Sequence, residues 1–267
     1  MSTPVKMTTR RLMSFKGRHK IAMVTAHDHP TARLADEAGL PVLLVGDSLA
    51  MTVLGHPTTL PVTMDEMIHH TKAVVRGARQ ALVVADMPFL SYQISQESAL
   101  ANAGRFLKEA GADAVKLEGG AERAGVIQAL VTNGIPVMGH IGLLPQSVKE
   151  LGGYKVQGRN GKEAEQIVLD ALALQAAGVF ALVIEAVPAG LAARITAELT
   201  IPVIGIGAGP DCDGQVLVAN DLLGIGENNV PKFVKTYANL GMVMRQAFTA
   251  YRTEVESGKF PGREHGY

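Results

Sequence analysis

Four acidic residues in the sequence follow or end a short apolar run. They are Asp47 after 41–46, Asp86 after 81–85, Glu118 at the end of 114–118, and Glu185 at the end of 181–185. Apolar runs of this length are typical of strands that are buried on both faces of a parallel sheet. Because the carboxyl ends of parallel strands lie at the same edge, we expect the four carboxylates to meet at one site.

Carboxylates that converge without compensating cations repel one another and raise one another's pKa. Lys116 lies two residues before Glu118, on the same face of a strand, and one lysine does not neutralise four acids. A hard divalent cation would do so, and carboxylate oxygens favour Mg²⁺ or a related ion. Any one of these acids could be a helix cap or an ion-pair partner, whereas four in matching register indicate a metal site.

The alternation of side chains along a strand predicts which residues face the site. If Asp47 faces the open end, Leu43 and Val45 should line the interior while Leu44 packs against helices. His140 ends the fifth run, where it is either a hydrogen-bonded structural residue or part of the site.

Other residues that could do chemistry give weaker signals. The histidines, among them His27, His56 and His69, have no spacing typical of a zinc site. The glycine-rich segment 205–209 is either a phosphate cradle of backbone N–H groups or a place where the chain packs closely. Cys212 has no base beside it in sequence, so a nucleophilic role is not expected.

The elements that must hold these residues alternate between strands and helices. We predict eight strands, at 21–26, 41–48, 81–87, 114–118, 136–140, 181–185, 201–205 and within 216–225. We predict helices at 31–38, 63–76, 96–110, 162–177, 189–199 and 232–256, and one more that follows Gly119-Gly120 and ends at about Thr132. Thr63 and Glu66 have capping-box spacing. This alternation favours an α/β fold of the (β/α)₈ TIM barrel type over a doubly wound open sheet, which would carry a glycine fingerprint after its first strand.

The chain is predicted to be a single domain, 1–267, with a short N-terminal helical segment at 1–20 and a polar C-terminal tail at 258–267. The segment 51–61 is rich in Gly, Pro and Thr and is a candidate active-site loop. The first twenty residues are basic and acid-free, which fits a transit peptide or a short solvated helix, and a strand beginning at Ile21 favours the helix.

The composition argues against several classes of function. Lys plus Arg and Asp plus Glu each number 25, so no basic field attracts nucleic acid or anionic lipid. No apolar run approaches the ~20 residues that cross a bilayer. Cys212 is the only cysteine, which precludes an intramolecular disulfide and predicts a reducing, cytoplasmic location.

Several specific strings occur in one order along the chain. They are Val45-Gly46-Asp47-Ser48, Thr59-Leu60-Pro61-Val62-Thr63, Ala85-Asp86-Met87-Pro88-Phe89, Val115-Lys116-Leu117-Glu118-Gly119-Gly120, Gly139-His140-Ile141-Gly142-Leu143, Pro145-Gln146-Ser147, 152–158, Ile184-Glu185 and 202–209. In these strings the chain resembles the ketopantoate hydroxymethyltransferase family, and the resemblance extends from about Lys20 to His265.

The resemblance implies a (β/α)₈ barrel enzyme that depends on Mg²⁺. Such an enzyme would transfer a hydroxymethyl group from 5,10-methylenetetrahydrofolate to 3-methyl-2-oxobutanoate through a metal-stabilised enolate. The product would be 2-dehydropantoate (ketopantoate), in pantothenate biosynthesis. Members of the family commonly assemble as a homodecamer of two pentameric rings.

The resemblance also implies roles for individual residues, because each family motif matches a string of this sequence. These are metal binding for Asp47, Asp86 and Glu118, the last among the ligands or immediately outside them, and oxoacid binding for Asp47, Ser48, Asp86 and Lys116. Glu185 would be the general base, and His140 would lie near the substrate at the mouth of the barrel.

The chain departs from the family pattern at three positions. His27 stands where the family usually has Tyr, Ala50 stands where Gly is frequent, and Asn220 stands where His is common. His27 is the departure that could alter the site, by changing a hydrogen bond at the mouth.

Three other functions remain open at this point. The first is a Mg²⁺-dependent oxoacid lyase or phosphomutase on a related barrel, which would carry a reactive loop cysteine; Cys212 is poorly placed for that role. The second is a barrel that binds a sugar phosphate through 205–209, which phosphate competition would reveal. The third is a non-catalytic assembly or binding protein, which would bind metal without turning over any oxoacid.

Overall fold

The computed structural model describes residues 5–226 and 231–267. The chain divides into two compact units, Met1–Val218 and Ala219–Tyr267, which are described separately below. The single-domain organisation expected from the sequence stays a prediction. In the described part of the chain, no helix is both long enough and apolar enough to cross a membrane.

The first unit is a closed barrel of eight parallel strands, as predicted. The strands are β1 (Ile21–Thr25), β2 (Val42–Val45), β3 (Leu82–Asp86), β4 (Ala114–Glu118), β5 (Val137–Gly142), β6 (Ala181–Glu185), β7 (Val203–Ile206) and β8 (Gly214–Leu217). Each strand pairs in parallel with the next, and β8 pairs with β1 over the register Ile21↔Gly214 to Val24↔Leu217. Closure of the sheet makes the open-sheet alternative wrong.

Helices follow most of the strands. In the first unit they are α1 (Thr9–Met13), α2 (His29–Glu37), α3 (Leu49–Thr52), α4 (Met64–Gly77), α5 (Gln96–Arg105), α6 (Ala124–Thr132), α7 (Gly161–Ala177) and α8 (Ala189–Glu198). A π-helical turn, Phe106–Ala110, continues α5, so the predicted helix 96–110 is continuous as far as Gly111.

Local sequence signals explain where two helices begin. Thr63 and Glu66 form the predicted capping box, in which each side chain bonds the other residue's backbone N–H. Asp28 caps α2 by accepting a hydrogen bond from the Thr31 N–H, so α2 begins at His29, two residues before the predicted start. Pro30 is tolerated there because the first turn of a helix needs no N–H donor from it.

The interior of the barrel holds an apolar layer below the strand ends. Its members include Met23, Val42, Leu44, Leu82, Val84, Ala114, Met138, Val183, Ile204 and Val216. The prediction that Leu43 and Val45 line the interior while Leu44 faces helices was therefore wrong. Strand β2 ends at Val45, so Asp47 is not constrained by strand alternation and reaches the mouth from the turn that follows.

The connection between β7 and β8 breaks the alternation of strand and helix. The seven residues between these strands, all of them described, form no helix. The last strand lies at 214–217, earlier than the predicted segment 216–225. Asp213, in this connection, accepts hydrogen bonds from the backbone N–H groups of Gly17 (3.2 Å) and Val203 (2.9 Å), and its Oδ2 lies 2.8 Å from Lys16 Nζ. The N-terminal segment is thereby attached to the end of the barrel sheet.

The second unit contains α9 (Ala219–Leu223) and α10 (Leu240–Glu256), with a short 3₁₀ turn at Arg263–His265 in the predicted tail. Helix α10 starts at Leu240 and not at 232, because the Asn239 side chain caps it there by accepting from the Met242 N–H. No residue of α10 is buried. Its side chains Met244, Phe248, Tyr251 and Val255 are exposed.

Candidate active site

Six polar side chains meet at the carboxyl ends of the barrel strands. This group, called the acid cluster below, consists of Asp47, Asp86, Lys116, Glu118, His140 and Glu185. Five of them come after a residue of the apolar layer on the same strand, and Asp47 lies in the turn that follows β2. Five of the six are buried, and Glu185 is the exception, with 17% of its side chain exposed.

Asp47 and Asp86 form one side of the acid cluster. The backbone N–H of Asp47 donates to Asp86 Oδ2 at 3.0 Å. Asp86 Oδ1 lies 3.1 Å from Lys116 Nζ, so one cation sits against the two carboxylates. Gly46 permits this arrangement, because a Cβ there would lie 2.9 Å from Ser48 Oγ and 3.6 Å from Asp86 Oδ2.

His140 links the lysine to the two glutamates on the other side. Its Nδ1 lies 3.2 Å from Lys116 Nζ and 3.5 Å from Glu118 Oε1, and its Nε2 lies 3.2 Å from Glu185 Oε2. Whether the ring is neutral, with Nδ1 accepting from Lys116, or charged, its Nε2 proton faces Glu185. The Glu185 carboxylate therefore has a neighbouring donor and a partly open face.

The backbone conformation after β6 is unusual next to Glu185. Ala186 has φ 47°, in the left-handed region that side chains with a Cβ disfavour. Its N–H donates to Ile206 O at 2.8 Å and its carbonyl accepts from the Gln157 N–H at 2.9 Å. Strained backbone held by such bonds is common where a side chain must be aimed precisely.

The charges of the acid cluster are poorly balanced. Burial, together with the charges of Asp86 and Glu118, raises the pKa of Asp47 to about 8. Burial also raises the pKa of Asp86, although Lys116 opposes it. Burial lowers the pKa of Lys116, but the carboxylates of Asp86, Glu118 and Asp47 outweigh it and leave that pKa raised. The site thus has an excess of negative charge that a cation would relieve.

The donor set fits a divalent cation held by two protein carboxylates. Asp86 Oδ1 is buried without a hydrogen bond of acceptable geometry, and so are Ser48 Oγ and His140 Nε2. Buried polar atoms without partners are rare and call for a ligand or ion. The described residues bring together no set of three His, Cys, Asp or Glu side chains that could hold a metal. Mg²⁺ does not need such a set, since it is commonly bound by one or two carboxylates with water and substrate.

Glu118 is placed differently from the two aspartates. Its Oε2 accepts the backbone N–H of Gln146 at 3.0 Å, and its Oε1 faces His140. Burial raises the pKa of Glu118, but its hydrogen bond with His140, and the charges of His140 and Lys116, outweigh burial and leave the pKa lowered. Both of its carboxylate oxygens already have partners.

Sequence reasoning assigned no role to three residues at the site. Gln146 and Tyr92 are buried and bond to each other beside Asp47. The hydroxyl of Tyr154 lies 3.6 Å from Met51 Sδ, so the loop after β5 touches the loop after β2 across the mouth. Burial and the charges of Asp47, Glu185 and Glu118 raise the pKa of Tyr154. The sequence string 152–158 is one of those that resemble the family, but no local sequence pattern predicts which residue Tyr154 contacts.

The glycine segment 205–209 is explained by close packing. A Cβ at Gly205 would lie 2.9 Å from Cys212 Sγ, and one at Gly209 would lie 2.5 Å from the Cβ of Ala189. Burial raises the pKa of Cys212, which disfavours the thiolate. Of the two interpretations of this segment, the packing interpretation is the one that contacts in the structure favour.

His27 follows β1 and is buried beside His70. Its carbonyl lies 2.6 Å from His70 Nδ1, and its own Nε2 has no hydrogen-bond partner. Burial, and after it the charge of His70, lower the pKa of His27 to about 4 from 6.5. Its ring is therefore neutral in the folded chain at neutral pH.

This neutral burial predicts a pH dependence of stability. Between pH 6.5 and 4 the unfolded chain binds a proton at His27 that the folded chain does not, so the free energy of unfolding falls as the pH is lowered. From pH 7 to pH 5 the loss should be about 2 kcal/mol. Urea unfolding of the wild type and of His27→Tyr at both pH values tests this, because the variant should lose about 2 kcal/mol less. Equal losses in the two proteins would contradict it.

Comparison with known proteins gives one consistent result. A sequence model of the family described as ketopantoate hydroxymethyltransferase matches residues 6–263. The 3-methyl-2-oxobutanoate hydroxymethyltransferase of Moorella thermoacetica is 60% identical over 268 residues, which cover 100% of both proteins.

Solved structures resemble the fold at low sequence identity. A 2,3-dimethylmalate lyase described as a PEP mutase/isocitrate lyase superfamily member has a TM-score of 0.64 at 15% identity, covering 99% of this chain and 90% of that one. A phosphonopyruvate hydrolase in complex with oxalate and Mg²⁺ has a TM-score of 0.60 at 15% identity, covering 97% and 90%. These likenesses show the barrel fold alone.

Proposed function

The chain belongs to the ketopantoate hydroxymethyltransferase family and transfers a hydroxymethyl group to 3-methyl-2-oxobutanoate, and we propose that it does so at the acid cluster. The observation that carries this assignment is the group of buried polar atoms there that have no hydrogen bond of acceptable geometry, namely Ser48 Oγ, Asp86 Oδ1 and His140 Nε2. Of these three atoms, His140 Nε2 lies 3.2 Å from Oε2 of Glu185, the one partly exposed acid of the cluster. The alternative function, an oxoacid lyase or phosphomutase, is not supported. The relative that is 60% identical is a hydroxymethyltransferase, whereas the 2,3-dimethylmalate lyase is 15% identical and shares only the fold.

The family is one of metal-dependent transferases, and Asp47 and Asp86 are the residues that would hold Mg²⁺ here. Glu118 would act from just outside the ligands, because both of its oxygens have other partners. When bound, Mg²⁺ would supply positive charge beside the keto and carboxylate oxygens of the oxoacid and make its C3 hydrogen more acidic.

Two residues would hold the oxoacid in place. Lys116 provides a buried positive charge next to Asp86, on which a substrate carboxylate can be placed. Ser48 Oγ has a free hydrogen-bonding capacity within the buried site. Closure of the mouth by Tyr154 and Met51 would exclude water from the bound oxoacid.

Glu185 would remove the C3 proton of the oxoacid. Its carboxylate is partly exposed, and His140 Nε2, 3.2 Å away, would fix its orientation. The proton passes from C3 to the Glu185 carboxylate, and the resulting carbon nucleophile forms a bond to the methylene carbon of the one-carbon donor. Water then replaces the donor nitrogen on that carbon, which supplies the hydroxyl group and releases the donor as its amine. The donor that we propose is 5,10-methylenetetrahydrofolate, and the exposed apolar side chains of the mouth loops, such as Val53, Phe89 and Leu90, would pack on its planar ring.

Two measurements on the purified protein test this function. In heavy water with Mg²⁺, the chain alone should exchange the C3 hydrogen of 3-methyl-2-oxobutanoate, which proton NMR detects. With ¹³C-labelled methylenetetrahydrofolate added, the label should appear in the hydroxymethyl group of the product. Exchange without label transfer would overturn the folate donor, whereas the absence of both would overturn the site.

We propose that the chain works as a homo-oligomer in the cytoplasm, and that the oligomer is a decamer. Helix α10 supports an assembly because Met244, Phe248, Tyr251 and Val255 recur at helical spacing and are all exposed. Sedimentation velocity should show a species far above the 28.2 kDa protomer, and Phe248→Glu should shift it to smaller species. Thr253→Glu, at a different angle around α10, is the control. A wild type that sediments as a monomer at micromolar concentration would contradict the assembly.

A further inference from the structure

The side-chain amide of Gln146 is the point at which the two sides of the acid cluster are joined. Its Nε2 donates to Asp47 Oδ2 and to the carbonyl of Met87, each at 2.9 Å. Its Oε1 accepts from the Tyr92 hydroxyl at 2.7 Å and from Gln93 Nε2 at 3.3 Å. All four hydrogen-bonding positions of the amide are therefore used inside the protein.

These partners determine which way the amide points. The Met87 carbonyl can only accept, so the NH₂ group must face it and, with it, Asp47. The Tyr92 hydroxyl accepts the Glu118 backbone N–H at 3.2 Å, and of the two acceptors for its single hydrogen, Gln146 Oε1 at 2.7 Å is closer than the Glu118 carbonyl at 3.2 Å. Tyr92 is 1% exposed, so it supports Gln146 from within the protein interior.

Gln146 consequently determines which carboxylate oxygens of Asp47 and Glu118 are already hydrogen-bonded. Asp47 Oδ2 is taken by the amide, and Glu118 Oε2 is taken by the backbone N–H of the same residue at 3.0 Å. Asp86 Oδ2 is taken by the Asp47 N–H. With Oδ2 held by the amide, Oδ1 is the oxygen of Asp47 that this contact leaves available, and Asp86 Oδ1 is buried without a hydrogen bond of acceptable geometry.

We propose that the Gln146 side chain is a positioning residue for the divalent cation: by holding Asp47 Oδ2 it presents Asp47 Oδ1 to the ion. A residue that orients a metal ligand through a hydrogen bond typically contributes 10–100-fold to metal affinity. The proposal rests on the proposed metal site, but it adds a residue that neither touches the ion nor reacts. Tyr92 would act through Gln146, one bond further from the cation.

The test measures Mg²⁺ affinity directly, by titration calorimetry of the full chain with 3-methyl-2-oxobutanoate present. Gln146→Met keeps the length of the side chain and the backbone N–H to Glu118 but loses all four amide bonds. It should weaken Mg²⁺ binding by about 10–100-fold, and C3 exchange should recover toward the wild-type rate at saturating Mg²⁺. Tyr92→Phe, which removes one bond to the amide, should weaken binding by about fivefold. Gln166→Met, on α7, is the matched control and should bind Mg²⁺ like the wild type.

The outcomes separate this inference from the function on which it rests. A folded Gln146→Met protein with the wild-type Mg²⁺ dissociation constant would overturn the positioning role alone. If Gln146→Met does not fold, Tyr92→Phe decides, and an unchanged dissociation constant in that variant overturns the role. A wild type that binds no Mg²⁺ overturns the metal site itself. A lower urea midpoint with unchanged Mg²⁺ affinity would show that the amide is structural.

Discussion

Replacing Glu185 with glutamine should slow exchange of the C3 hydrogen of 3-methyl-2-oxobutanoate by about 10²–10⁴-fold, the usual contribution of a positioned general base. Glutamine keeps the shape of the side chain and can still accept from His140 Nε2, which lies 3.2 Å from the carboxylate. It loses basicity, so Mg²⁺ and oxoacid binding should change little. Proton NMR in heavy water measures the rate without any folate.

The control for this variant is Glu198→Gln on α8, where the wild-type carboxylate pairs with Arg194 on the surface. Exchange in the control should equal that of the wild type. Should Glu185→Gln also exchange at the wild-type rate, the base is another residue. His140 is then the next candidate, because its imidazole ring lies 3.2 Å from Glu185 Oε2 in the same cluster.

Replacing Asp47 with asparagine should have opposite effects on activity and on stability. The variant loses a proposed metal ligand. Loss of a residue that only hydrogen-bonds to a ligand typically reduces metal affinity or activity by up to roughly 10²-fold, so Mg²⁺ binding and C3 exchange should fall by more than that here. Without metal, however, the variant should be more stable, because it removes a buried carboxylate that the charges of Asp86 and Glu118 oppose. Asparagine still accepts the hydrogen bond from Gln146.

The size of the gain follows from the pKa of Asp47. In the folded chain it is raised to about 8 from 3.8, so between these values the folded state binds the extra proton and stability falls as pH rises. At pH 7, with chelator present, Asp47→Asn should gain on the order of 2–4 kcal/mol in the free energy of unfolding. Urea unfolding at pH 5 and 7 tests this, since the gain should shrink at pH 5. Asp65→Asn, an exposed control, should change stability by less than about 0.5 kcal/mol. A metal-free Asp47→Asn that is less stable than the wild type would contradict the account of charge repulsion.

The barrel and its strand-end residues were predictable because they depend on short-range patterns. Lys116 and Glu118 are two apart on β4, so the alternation of side chains places both on the inner face. The same rule failed for β2, where the chain leaves the sheet at Val45 and Asp47 belongs to a turn. The alternation of side chains ends with the last backbone hydrogen bond between neighbouring strands. A run of apolar residues in the sequence does not show where that last hydrogen bond lies.

The supporting contacts of the site were not predictable from the sequence. Tyr92 and Gln146 are 54 positions apart, and Gln146 and Asp47 are 99 apart. Their types are ordinary, and their roles depend on three loops converging at the mouth. Similarly, the start of α10 depended on a single capping side chain, Asn239, within a segment that the composition alone made look helical.

The pairing of β8 with β1 has a consequence for how the chain is made. Residues 21–24 find their partners at 214–217, close to two hundred positions later. Until Leu217 has left the ribosome, β1 is an unpaired edge whose backbone N–H and C=O groups can bind another growing chain. The contacts of Lys16 and Gly17 with Asp213 form only at that same late moment. Closing so distant a pair is slow, and the nascent protein should therefore be most prone to aggregation just before its barrel closes.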